Sequence, residues 1–166
     1  MVSAAQSVTT PSQTWVTWQG REPDRGATAW YIRRFVDRAA VFRELPQGTL
    51  DLGVGAPFDV PQSAFRRSAQ WTGFELLLAK YPSNDPTIRR LALIVHDIEI
   101  NPWQPKGYPE SVVIEAAARA LSAKFPDYNI PIACFIPWFD AIYTELKTRN
   151  TLSEPPRVPA ECQVSK

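Results

Sequence analysis

The chain is expected to fold as one compact domain, mainly α with a small β element (α+β), built from about five helices and two or three short strands. Three observations predict this. Several segments space their apolar residues at helical intervals behind capping residues. Only two stretches, both near the N-terminus, have strand character. The 166 residues, 45% hydrophobic and 21% charged, suffice for one core and show no internal repeat.

Residues 1–13, "MVSAAQSVTTPSQ", form a flexible lead. "TWVTWQG" (14–20) sets Trp15 and Val16 among threonines and ends on glycine, as a short strand does. Asp24 is placed to cap a helix over 27–37, with Ala27, Tyr31 and Phe35 along one face and Arg33 and Arg34 off it. "AVFREL" (40–45) has β character. The Gly/Pro-rich 46–61 is a loop with room for a brief hairpin strand.

Four further helices follow. "TGFELLLAKYP" (72–82) is stopped by Pro82. The helix over 84–100 has Asn84 or Asp85 as cap, Pro86 in its first turn, and a stripe of Ile88, Leu91, Ala92, Val95 and Ile98. Residues 109–125 open on Pro109 and Glu110. Residues 132–149 are helical at least after Pro137, with Phe139, Ile142, Tyr143 and Leu146 inward. The domain is thus expected over 14–149, with 150–166 a disordered, proline-bearing tail.

Eighteen basic against seventeen acidic residues leave a formal +1, so no global field favours nucleic acid or a membrane surface. The N-terminus lacks a signal-peptide pattern and no apolar run reaches spanning length, which leads to a cytoplasmic expectation. Cys134, in an apolar run, reads as a small buried hydrophobe, and Cys162 as an exposed, incidental thiol. With no paired spacing the expected compartment is reducing. Trp30 and Trp138 are expected in the core, while Trp71 and Trp103 are left open. Phosphate loops, nucleophile elbows, HExxH and paired CxxC motifs are all missing.

Two kinds of site remain. In "LALIVHDIEI" the one histidine, His96, can reach Glu99 one helical turn on, while Asp97 diverges by about 100°. That pair suits proton transfer, half of a hard-metal site, or a satisfied helix end. The arginine doublets Arg33–Arg34, Arg66–Arg67 and Arg89–Arg90 suit paired oxygens of an oxyanion where they converge, and otherwise form solvated helix faces.

Taken together, "WVTWQGREPDRGATAWYIRRFVDRAAVF", "PFDVPQSAFRRSAQWTGFELLLAKY", "RRLALIVHDIE" and "PWFDAIYTEL" resemble the C-terminal domain of the chromate-resistance protein B family, the chromate resistance exported protein domain. The family pattern "H-x-DR-IAC-W-LIRRFID", then "PFD-P-G-x-x-x-x-H-x-G-x-x-C-SF", differs from this chain at each soft ligand. Glu22 and Thr28 stand at the first His and Cys, and Arg67 and Thr72 at the second His and Cys. His96 and its acidic neighbours match. The replacements exclude thiol chemistry at those positions and make the site harder, suited to an oxyanion or a salt-bridged core.

The resemblance implies a chromate-resistance domain without implying DNA regulation, since thirteen residues precede the match. The leading expectation is oxyanion binding or sensing in a stress response by Arg25, Arg33, Arg67 and Thr72. Glu22, Thr28, His96, Asp97 and Glu99 would form the polar wall. No cofactor is expected. The alternatives are an enzyme using a His/carboxylate site, with a hard metal at His96 and Glu99 or proton transfer there, and an inert protein-interaction module. A small oxyanion or a protein partner is therefore expected, and neither membrane nor nucleic acid.

Overall fold

Thr14–Trp18 forms β1, the central strand of a three-stranded parallel sheet ordered β2-β1-β3, with Val41–Leu45 as β2 and Ala56–Pro57 as β3. This computed structural model describes residues 12–163. All but the last two residues of the expected lead fall outside them. Trp15, Val16 and Thr17 are all buried, because a central parallel strand is covered on both faces. β3 fulfils the expected brief strand but pairs in parallel with β1, so the predicted hairpin does not form.

The β1–β2 crossover is α1, Pro23–Tyr31, every residue of which is buried. It packs against α5 (Ile132–Arg149), α2 (Gly73–Lys80) and α3 (Pro86–Glu99). A helix wrapped on all sides must satisfy its polar residues internally. Thr28 Oγ1 donates to the Asp24 carbonyl at 2.8 Å. Arg25 bonds Glu44 on β2 at 2.8 Å and reaches the carbonyls of Gly20 and Ile130, while its guanidinium lies 5.4 Å from the Phe135 ring centre. Gly26 is required by close packing: a Cβ there would sit 2.3 Å from the Phe135 ring.

Asp24 does not cap its own helix, as its position in the sequence suggested. It lies inside the first turn, and its carboxylate accepts from the Gly73 and Phe74 amides at 2.7 and 2.8 Å, capping α2 across the core. The expected helix over 27–37 also ends earlier. Residues Ile32–Val36 form a π-turn closed by Asp37 N–H to the Ile32 carbonyl at 2.7 Å. The extra residue in that turn shifts the apolar face, so Phe35 is 43% exposed although it still borders Trp30 and Tyr143.

α3 begins after Asp85, whose side chain accepts from Thr87 N, and buries Ile88, Leu91, Ala92, Val95 and Ile98 as expected. α4 spans Pro109–Ser122, shorter than predicted. α5 starts five residues before Pro137; the Ile132 amide at its N-terminus is met by Glu44 Oε2 at 3.2 Å. Trp30 and Trp138 are in the core, while Trp71 and Trp103 are 55% and 93% exposed.

The cysteines require a correction. Cys134 and Cys162 form a disulfide with their Cα atoms 5.3 Å apart, and Cys162 is fully buried rather than an exposed thiol. The segment expected as a disordered tail turns back onto the domain through Gln163. It buries Leu152 and Pro156 and ends in a short 3-10 turn, Ala160–Cys162, in contact with α5. Prolines there shape a packed strap. The inference of a reducing compartment loses its basis, because it rested on the cysteines being unpaired. Among the described residues no helix is long and apolar enough to cross a membrane.

Candidate functional site

The carboxyl ends of all three strands open onto one cleft of about 300 Å³. Trp18 and Gln19 come from the end of β1, Gln47 from just past β2, and Asp59, Val60 and Pro61 from just past β3. Glu22, Arg25, Arg66 and Arg67 complete the lining. Parallel α/β sheets place ligand sites outside their strand carboxyl ends, where connecting loops diverge. A second recess of about 570 Å³ lies on the other side of Arg67, between Arg21, Glu22 and Pro23 and the residues Ile98, Glu99, Pro102, Glu115 and Arg119. Arg67 and Glu22 border both.

Carboxylates surround the cleft cations. Arg67 Nη1 bonds Glu99 Oε2, and Glu99 also accepts from the Asp24 amide at 3.2 Å. Burial pushes the Glu99 carboxyl up to about 7, against the pull of Arg67. Burial likewise lifts Asp24 to about 6, despite its hydrogen bonds from Phe74 and Gly73. Half-buried Asp59 is raised well above the usual carboxylate range by loss of solvent and by the neighbouring charges of Asp24 and Glu22. Its backbone is held at φ 50°, a left-handed conformation that stores strain in a non-glycine residue.

The structure brings together only part of the predicted set. Glu22, Arg25, Arg67 and Glu99 gather at the cleft and the adjoining recess. Arg33 does not. It donates to the Ala40 carbonyl at 2.6 Å and lines cavities elsewhere. Thr72 is the buried N-cap of α2, its hydroxyl accepting from Glu75 N at 3.1 Å and donating to Glu75 Oε2 at 3.0 Å. Thr28 is buried inside α1. Both hydroxyls are therefore spent on backbone and helix-cap bonds, away from solvent.

His96 does not pair with Glu99. Its Nδ1 lies 2.9 Å from Glu75 Oε2 on α2, because the helices pack so that the capping glutamate faces the ring. Asp97 diverges as expected and accepts from the Gly107 and Tyr108 amides at 2.9 and 3.2 Å. It is buried, yet the bonds from the Gly107 and Tyr108 amides and the charge of Lys106 hold it below the ordinary carboxylate range. The His96/Glu99 metal pair is thus not assembled, and no group of three or more potential metal ligands occurs among the described residues.

The sequence did not single out Asp59 as a cleft residue or Asp24 as the buried carboxylate behind it, and it offered Arg66 only within its doublet. Asp59 sat in plain view within "PFDVP", and a carboxylate flanked by two prolines just after a strand was the available signal. Asp24 was visible but read as a local cap.

Comparison with known proteins shows the family. The family model described as "ChrB, C-terminal domain" matches residues 15–146. Protein ChrB of Cupriavidus metallidurans is 32% identical over 93 residues, covering 52% of this chain and 27% of that protein. The chain therefore spans about a quarter of that relative's length. No solved structure matches. With the match running from β1 almost to the end of α5, the chain belongs to the ChrB C-terminal domain family, the chromate-resistance family that its motifs resemble.

Proposed function

We propose that the cleft binds a tetrahedral oxyanion such as chromate and that the domain serves chromate resistance by binding or sensing it. The supporting observation is the convergence of Arg25, Arg66 and Arg67 where all three strands end. Arg66 carries no carboxylate partner among the described residues; its Nη1 donates to the Pro61 carbonyl at 2.9 Å, leaving the rest of its fork available. Arg25 is held by Glu44 and two carbonyls, so its role is to supply a fixed positive charge in the cleft wall.

The raised carboxyls make such a site workable. Asp59, which burial and neighbouring carboxylates make readier than an ordinary carboxyl to hold a proton, repels an anion less than a free aspartate would. As pH falls through about 7, Glu99 takes up a proton and releases Arg67 for the ligand. Arg33 and Thr72 have no part in this reading, because they lie outside the cleft.

Calorimetric titration with chromate, and with sulfate as an anion of the same shape, tests the reading. Saturable binding that Arg67→Ala weakens by about tenfold or more, the loss of roughly one charged contact, is the expected result. Absence of heat with either anion refutes it. The exposed Trp103, at 93%, then makes the interaction module the reading to pursue.

A further inference from the structure

Around the π-turn lies a second arginine cluster, whose cavity shares no lining residue with the strand-end cleft or the recess beside it. Arg33, Arg34 and Arg38 border a shallow cavity of about 380 Å³ together with Trp30, Ile136 and Asp140. Three guanidinium groups face one carboxylate, and that carboxylate is already engaged: Asp140 Oδ1 accepts from Trp30 Nε1 at 2.7 Å and from Arg34. The nearby Asp37 is turned away, its oxygens accepting from the Gln13 and Ala39 amides at 3.0 and 3.1 Å.

The cluster differs from an ordinary solvated arginine face in two respects. First, two of its members are already immobilised. Arg33 lies 5.3 Å from the Phe42 ring centre and donates to the Ala40 carbonyl, and Arg34 lies 4.8 Å from the Tyr143 ring centre. Stacked guanidinium groups lose little entropy when an anion arrives. Second, Arg33 Nε is buried without a hydrogen-bond partner, as are Arg25 Nε and Arg90 Nε, and Arg33 borders an open cavity. Exposed Arg38, with no ion-pair partner among the described residues, is the free arm.

We infer that Arg33, Arg34 and Arg38 form a second anion site, for a dianionic phosphate-type group, independent of the strand-end cleft. The excess of two positive charges over Asp140 matches a dianion, and the forked donors match its oxygens. Such a group could arrive as free inorganic oxyanion or as a phosphate monoester on another molecule.

The test follows the arginine Nε–Hε resonances of the full chain by NMR while inorganic phosphate, and separately phosphoserine, is added at constant ionic strength. The Arg33 and Arg38 signals are expected to shift saturably. Arg38→Ala should weaken binding at least fivefold, Asp140→Asn should tighten it, and Arg67→Ala, which disables the cleft, should leave it unchanged. Tighter binding of inorganic phosphate assigns the site to free anion, and tighter binding of phosphoserine to a carried phosphate. Unmoved signals, shifts that chloride reproduces, or wild-type affinity in Arg38→Ala overturn the inference. Loss in Arg67→Ala also overturns it, since the two sites would then be one.

Discussion

Arg25 allows the sharpest separation of structure from ligand binding. The sequence placed it among oxyanion ligands, and besides lining the cleft it is a pin joining β1, β2, α1 and the entry to α5. Replacing it with methionine keeps an aliphatic side chain but removes the guanidinium that lies over Phe135, and with it three hydrogen bonds, to Glu44, Gly20 and Ile130. Bonds from a charged donor contribute about 1.5–3 kcal/mol each. The sum is reduced because Glu44 keeps 24% side-chain exposure and its bond to Ile132 N. Breaking a buried pair one-sidedly typically costs about 3–5 kcal/mol, so Arg25→Met should lose about 4 kcal/mol. At roughly 2–4 °C per kcal/mol for a chain of this size, the midpoint should fall by more than about 8 °C. Chemical denaturation of wild type, Arg25→Met, Glu44→Gln and the double variant measures both the loss and the coupling, which should be about 2 kcal/mol. A loss below about 1 kcal/mol with unperturbed folding would refute the pin.

Thr72→Ala should cost about 1 kcal/mol through loss of the α2 cap while leaving chromate affinity unchanged, as parallel denaturation and calorimetry would show. Reducing the Cys134–Cys162 bond, which closes a loop across a separation of 28 residues, should cost about 3.5 kcal/mol on a chain-entropy basis, seen as a lower thermal midpoint with reductant that Cys134→Ser reproduces without it. Glu99 and Asp24 have native values of about 7 and about 6 against ordinary values of 4.5 and 3.8, so between these limits the folded chain binds more protons than the unfolded one. Their contribution is complete at low pH and is lost as pH rises toward about 7; for Glu99 the ceiling is about 3 kcal/mol. The stability difference between wild type and Glu99→Gln, followed against pH, should show that slope.

The helices were legible because caps and apolar stripes are local: Asp85, Pro86 and the Ile88–Ile98 stripe of α3 appear in the structure as they read in the sequence. The motifs also led to the right family and to Glu22, Arg25 and Arg67 as neighbours. Pairings across the core were not legible. Asp24 capping α2, His96 meeting Glu75 and Arg67 meeting Glu99 each depend on how two helices or loops come together, which no spacing rule reports. The disulfide was missed for a similar reason. Its second cysteine sat in a segment whose composition suggested disorder, while Leu152 and Pro156 find burial only against the finished domain. The π-turn, one residue longer than an α-turn, was equally silent and moved Arg33 away from the site it was assigned to.

Competition between Glu99 and an anion for Arg67 is the center of this account, and Glu99→Gln measures it without changing the ligand's own protonation. Chromate affinity of the variant and of wild type should be compared by calorimetry at about pH 8, where the native carboxyl at about 7 is mostly ionised. The account predicts several-fold to about tenfold tighter binding by the variant, with much of the wild-type advantage of lower pH already present. Equal or weaker binding by Glu99→Gln would contradict it and leave Arg67 as the partner of a structural ion pair.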